Sequence, residues 1–147
     1  MKVRCLANKS KFLPENYLDP VRGYTKELEF NLTLDREYIV YAIKSARGQT
    51  WYYLCDDRYT YYPIPNPAPL FEIVDNRLSQ YWRLKLAENG LLEIAFAEWL
   101  TDNYFYDKLT DQEEKEVLIF ERVKELIDAE AASITPQPAV EQVLAKV

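Results

Sequence analysis

The chain has no histidine at all. That removes the Ser-His-Asp and Cys-His nucleophile arrangements and the common zinc sites, all of which need an imidazole. It has only 3 glycines, and no GxGxxG or GxxxxGK[ST] pattern occurs. Dinucleotide-binding and P-loop readings therefore have no support. The 2 cysteines, Cys5 and Cys55, form no CxxC or zinc spacing. Both sit in strand-like contexts and read as buried thiols rather than a redox pair. No apolar run approaches the ~18 residues of a membrane span. Residues 1–15 lack the apolar stretch of a signal peptide. A cytoplasmic location with no membrane contact is the expectation, and no cofactor or metal is expected.

What is present is apolar and aromatic. Of 147 residues, 48% are hydrophobic and 29% charged, the balance of a folded chain rather than a disordered one. Residues 1–131 read as one domain and residues 132–147 as a mobile tail. There are 12 tyrosines, and aromatic residues favour strands. Charge is uneven. Residues 1–68 carry ten basic and eight acidic side chains, for +2; residues 69–147 carry eight and sixteen, for −8. An acidic half disfavours phosphate backbones and anionic membranes. It suits a basic partner, although a solvated helix face explains the same pattern.

Residues 2–7 alternate, with Val3 and Cys5 on one face, and predict a strand. Residues 8–30 hold Pro14, Pro20 and Gly23 and predict a long irregular connection pinned by Phe12, Leu13, Tyr17 and Leu18. Leu28, Phe30 and Leu32 alternate as a strand would. Tyr38–Ile43 is the strongest strand signal, and Thr50–Cys55 is its antiparallel partner across a turn at Gly48. Asp56-Asp57-Arg58 makes a second turn, after which Tyr59–Tyr62 would be a third strand. Pro63, Pro65, Pro67 and Pro69 alternate, which predicts an extended, irregular strap. Leu70–Val74 reads as a strand ended by Asp75-Asn76, and the next segment returns Trp82 to the core. Gln80–Glu88 and Leu91–Trp99 flank Asn89-Gly90, a hairpin signal, and the second run is rich enough in Ala and Glu to turn helical near Ala95. A short helix is expected in Asp102–Leu109. Thr110-Asp111-Gln112-Glu113 has the form of a capping box opening a helix to about Ala131. Its buried stripe would be Ile119, Phe120, Val123, Leu126 and Ile127.

Acid–base chemistry would fall to carboxylates, with Asp56, Asp57, Glu72, Asp75, Glu98 and Asp102 as the candidates. Each of the aspartates at a turn is explained by turn geometry alone. The ring excess is more informative. Trp51 and Tyr53 share one strand face and Tyr52 takes the other; Tyr59 and Tyr61 likewise oppose Tyr62. Not all these rings fit one small core, and tyrosine and tryptophan often anchor protein interfaces. Trp51, Tyr53, Tyr59, Tyr61, Tyr62, Asp56 and Asp57 are therefore the candidate interface. Cross-strand ring pairing that only stabilises the sheet is the simpler account of the same residues. Aromatic platforms also bind single-stranded nucleic acid, but that needs a basic groove; Asp56 and Asp57 argue against it, while Lys44, Arg47 and Arg58 keep it open.

Leu34 with Tyr38-Ile-Val-Tyr-Ala-Ile, then Trp51-Tyr-Tyr-Leu and Asp56-Asp57, then Pro69-Leu-Phe-Glu-Ile-Val-Asp75 and Trp82, resembles small uncharacterised bacterial proteins. Some of these look like immunity proteins paired with toxins. The resemblance covers roughly residues 30–125 and rests on core and turn residues, with no functional motif to carry over. It implies a small bent sheet, as in a partly open SH3-like barrel, and binding rather than catalysis. The resulting expectation is an α+β fold, a strongly curved antiparallel sheet packed against a C-terminal helix. The expected function is a protein-binding module, in concrete form an inhibitor of a basic toxin. The alternatives are an accessory protein binding a small molecule or nucleotide, and a carboxylate-based enzyme.

Overall fold

Val3 and Cys5 are fully buried while Lys2 and Arg4 are half-buried, the two-residue period of a strand, and Lys2–Cys5 forms β1. The computed structural model describes residues 1–133. β1 is the centre of a three-stranded antiparallel sheet, flanked by β2 (Glu37–Ile39) and β6 (Phe71–Asp75). A second, five-stranded antiparallel sheet has the order β5-β4-β3-β8-β7. Its strands are β3 (Ala42–Ala46), β4 (Gln49–Leu54), β5 (Ile64–Pro67), β7 (Trp82–Leu86) and β8 (Leu92–Phe96). Three helices follow: α1 (Ala97–Thr101), α2 (Phe105–Thr110) and α3 (Glu114–Ala132). The architecture is α+β, and the sheets do not close into a barrel.

The run Tyr38–Ile43 is not one strand but the crossing between the two sheets. The Val40 amide bonds back to the Met1 carbonyl at 3.1 Å, and the Tyr41 amide bonds forward to the Tyr53 carbonyl at 2.8 Å. Each crossing peptide thus finds a partner, as buried backbone must. The Tyr41 carbonyl also accepts the Trp82 indole N–H at 3.0 Å, so Trp82 does return to the core. Burying an aromatic side chain of this size stabilises by about 4–6 kcal/mol before entropy is counted. The Tyr41 hydroxyl donates to Asp128 of α3 at 2.6 Å, and its ring meets Phe120 edge-on. α3 is thereby fixed over the crossing point, with Phe120, Ile127 and Ala131 buried beneath it.

The β3–β4 hairpin turns on Arg47 (φ 53°) and Gly48 (φ 77°), two positive values in succession as the tightest hairpin requires. The β7–β8 hairpin is looser. The Ala87 amide bonds the Leu91 carbonyl at 2.9 Å, leaving a three-residue loop with Gly90 at φ 88°.

Several expectations need correction. The proline strap is not irregular: Ile64–Pro67 is a true strand against β4, with Tyr53 opposite Pro65 and Trp51 opposite Pro67. β5 is an edge strand, and the alternation puts both missing N–H groups on the open side. Tyr59–Tyr62 forms no strand, and Leu28–Leu32 contributes only an isolated bridge between Lys9 and Glu29. Phe12 is exposed rather than pinning its segment; Leu13 and Tyr17 do that work from short 3₁₀ turns. Thr110–Glu113 is not a capping box. The Thr110 hydroxyl donates to the Asp107 carbonyl, and Glu113 makes no side-chain cap to α3. The Glu113 amide reaches back to Lys108 and the Gln112 amide to Leu109, with Gln112 at φ 59°. This is the Schellman ending of α2. The tail expected beyond the helix lies outside the described residues from position 134 onward.

Candidate interaction surface

Sequence alternation places Tyr52 and Tyr53 on opposite faces of β4, and both are buried because both faces are covered. Tyr52 meets Phe71 of the small sheet at 6.0 Å between ring centres. Tyr53 packs edge-on against Trp99 of α1 at 5.1 Å and Tyr106 of α2 at 5.2 Å. Burial raises the Tyr53 phenol above its ordinary pKa. Trp51 is half-buried, with Tyr17 at 5.6 Å and Tyr24 at 5.4 Å between ring centres and its N–H on Gln49. Tyr53 is thus core, and Trp51 is occupied by the irregular segment that precedes the sheet.

The loop from Asp56 to Pro63 is different. Asp56 is buried, and its carboxylate accepts the amides of Arg58 at 2.9 Å and Tyr59 at 2.7 Å. This fixes the turn from within, as aspartate does in Asx turns. Asp57 points the other way. It accepts the Thr33 hydroxyl at 2.7 Å, the Arg36 guanidinium at 2.7 Å and the Tyr38 hydroxyl at 2.8 Å. Burial, with the Asp57 bond adding to it, pushes Tyr38 up to about 12. Both aspartates therefore build the loop, Asp56 from a buried position and Asp57 from an exposed one.

What the loop presents is tyrosine. Tyr61 is 53% exposed and meets Tyr62 edge-on at 4.8 Å. Tyr59 leans on Tyr62 at 5.5 Å, and the Arg58 guanidinium lies over the Tyr59 ring at 5.3 Å. Tyr62 packs on the core beneath. The Tyr106 hydroxyl donates to the Pro63 carbonyl at 2.8 Å and ties the far end of the loop to α2. The rings are thus pre-organised on a fixed backbone, which lowers the entropy lost on binding.

The structure brings together Tyr59, Tyr61 and Tyr62, and separates Trp51 and Tyr53 from them. Beside this loop, Cys55 is partly buried and its thiol is pushed up to about 12 by burial, which keeps it unreactive.

Much of the acidity of α3 is used internally. Glu130 accepts the Ser79 hydroxyl at 2.6 Å and the Gln80 amide at 2.9 Å; Asp128 holds Tyr41 and Lys124. Glu116 is buried, while Glu114 and Glu121 remain exposed. Of the other carboxylate candidates, Glu98 is exposed on α1 and three sit in ion pairs. Glu72 binds Arg4, Asp75 binds Arg77 at 2.6 Å, and Asp102 binds Lys108 at 3.0 Å. The Arg77 bond holds Asp75 at about 2, and the Tyr104 amide with Lys108 lowers Asp102. Those shifts run opposite to the raised pKa a general acid needs. Among the described residues no cluster of acidic or thiol side chains is placed to hold a metal ion.

Two features escaped the sequence reading. A groove of about 430 Å³ lies beside Trp51, with Arg22, Lys44 and Arg47 on its walls together with Asp19. Leu84 and Leu86 of β7 stand 64% and 66% exposed. Apolar periodicity marks such leucines as core; nothing in the sequence says that their face is uncovered there. In comparisons with protein-family models, curated proteins and solved structures, nothing matched this chain.

Proposed function

We propose that the chain is a protein-binding module whose anchor is the tyrosine loop, Tyr59, Tyr61 and Tyr62. The observation that carries this reading is the exposed Tyr61 ring on a loop whose backbone is held by Asp56, Asp57 and Tyr106. Aromatic side chains on a rigid base concentrate binding energy at small cost in entropy. In its concrete form the reading is immunity-type inhibition of a basic toxin. The acidic half of the chain, with Glu114 and Glu121 exposed on α3, would speed encounter with such a partner.

The test is a tagged pull-down from source cells at low and high salt, run in parallel with the Tyr59→Ala, Tyr61→Ala, Tyr62→Ala triple variant. A stoichiometric basic partner, weakened by salt and lost from a variant that still folds, supports the reading. Full retention by the folded variant sinks it.

The groove beside Trp51 favours a second reading, an anionic small-molecule ligand held by Arg22, Lys44 and Arg47. It is tested by a thermal-shift screen of nucleotides and metabolites, in which a specific ligand raises the melting temperature with concentration. The screen is scored against an Arg47→Ala variant, which should lose the shift.

A further inference from the structure

The two edges of the five-stranded sheet are built in opposite ways. At β5 the outward positions are Pro65 and Pro67, which have no N–H to offer another strand. β7 carries no proline at its edge. Its register with β8 pairs Leu84 with Ile94, Lys85 with Glu93 and Leu86 with Leu92. The Ala87–Leu91 hydrogen bond fixes which pairs bond across the ladder. By alternation Lys85 and Arg83 turn their peptide groups inward, and Leu84 and Leu86 turn theirs outward. Among the described residues β7 pairs only with β8. The outward Trp82 carbonyl is occupied by the Arg83 guanidinium at 2.8 Å, which leaves the Leu84–Leu86 stretch open. The side chains of those two leucines are the largely exposed ones, and they continue a stripe of Leu92, Ile94 and Ile43.

We infer that β7 is a strand-addition site that takes an extended partner segment in which apolar and acidic residues alternate. The alternation follows from the strand's two faces. One carries Leu84 and Leu86; the other carries Arg83, exposed, and Lys85, held near α1 by bonds to Leu100 and Asn103. An incoming strand lays one face beside the leucines and the other beside the two cations. A second copy of this chain is disfavoured by the same charges. Pairing β7 with β7 about Leu84 sets Arg83 opposite Lys85, and pairing about Lys85 sets Lys85 opposite itself; like charges opposed across strands destabilise. This site is independent of the tyrosine loop.

The test uses the full chain and two capped hexapeptides, Glu-Val-Glu-Leu-Glu-Val and its counterpart with lysine for glutamate. Amide hydrogen exchange is followed by NMR. The acidic peptide should slow exchange at Leu84 and Leu86 tenfold or more and leave the β5 edge unchanged, whereas the basic peptide should do nothing. Leu84→Pro should abolish the protection, because its N–H takes no part in the β8 ladder. Leu84→Asp serves the same purpose if the proline variant does not fold. Tyr61→Ala should leave the protection intact. Protection by neither peptide, equal protection by both, or slowing with protein concentration alone would overturn the proposal.

Discussion

Tyr53 and Tyr61 have equal standing in the sequence, and the structure gives them opposite energetic roles. Tyr53 is 7% exposed, with ring partners Trp99 and Tyr106 and the Lys44 ammonium 5.6 Å from its ring centre. A buried aromatic ring removes ~150–250 Å² from water, and at about 25 cal/mol per Å² that alone is about 4–6 kcal/mol. Unfolded chains already bury part of this area, and measured aromatic-to-alanine changes in cores cost roughly 3–5 kcal/mol. Tyr53→Ala should therefore cost about 4 kcal/mol. Tyr61 is half exposed and has one close ring neighbour, Tyr62. Its removal should cost about 1 kcal/mol or less, within the range of surface substitutions plus one weak ring pair. Urea unfolding followed by circular dichroism reads both values, provided the slopes match. In melting temperature, at roughly 2–8 °C per kcal/mol for domains of this size range, the two variants should be clearly separated. Equal destabilisation by the two substitutions would refute the assignment of Tyr53 to the core and Tyr61 to the surface, and with it the choice of anchor.

Asp75 is held at about 2 by Arg77, below its value of 3.8 when unperturbed. Its contribution to stability is thus fully present above about pH 4 and is lost as pH falls through about 2. Asp75→Asn should cost roughly 1–2 kcal/mol at pH 7 after allowance for solvent screening. That gap should close between pH 4 and 2 in urea titrations, and a gap independent of pH would contradict the ion-pair account. Gln112 holds φ 59° at the Schellman ending of α2. Gln112→Gly should raise stability by about 0.5–1 kcal/mol, since glycine takes that conformation without steric cost. A loss of stability in the same assay would count against this reading of the α2–α3 junction.

The local grammar of the chain was largely legible. Two-residue alternation located β1, β7 and β8, aromatic content and a preceding turn located β4, and Asn89-Gly90 marked the β7–β8 loop. Failures arose where one pattern fits two structures. A Thr-x-x-Glu sequence opens a helix or, as here, follows the end of one, and only the backbone at Gln112 decides. Alternating prolines exclude a central strand but suit an edge, and the strand order could not be read beforehand. Tyr38–Ile43 looked like one strand because both sheets demand the same apolar, β-branched residues of it. The site was legible as a set of rings and no further. Alternation assigns Tyr52 and Tyr53 to opposite faces without saying that the small sheet covers one and α1 and α2 the other. For the same reason the exposure of Leu84 and Leu86 is not legible in the sequence.

Placing a photo-crosslinker at position 61 tests the central claim most directly. Full-length chain with Tyr61→p-benzoylphenylalanine is irradiated in source cells beside a control with the same group at Lys26, which is exposed on the irregular segment between β1 and β2. The account predicts one dominant protein adduct from position 61 that is absent from position 26. An adduct from the control alone, or none from position 61 while the tagged protein still retains its partner, would contradict it.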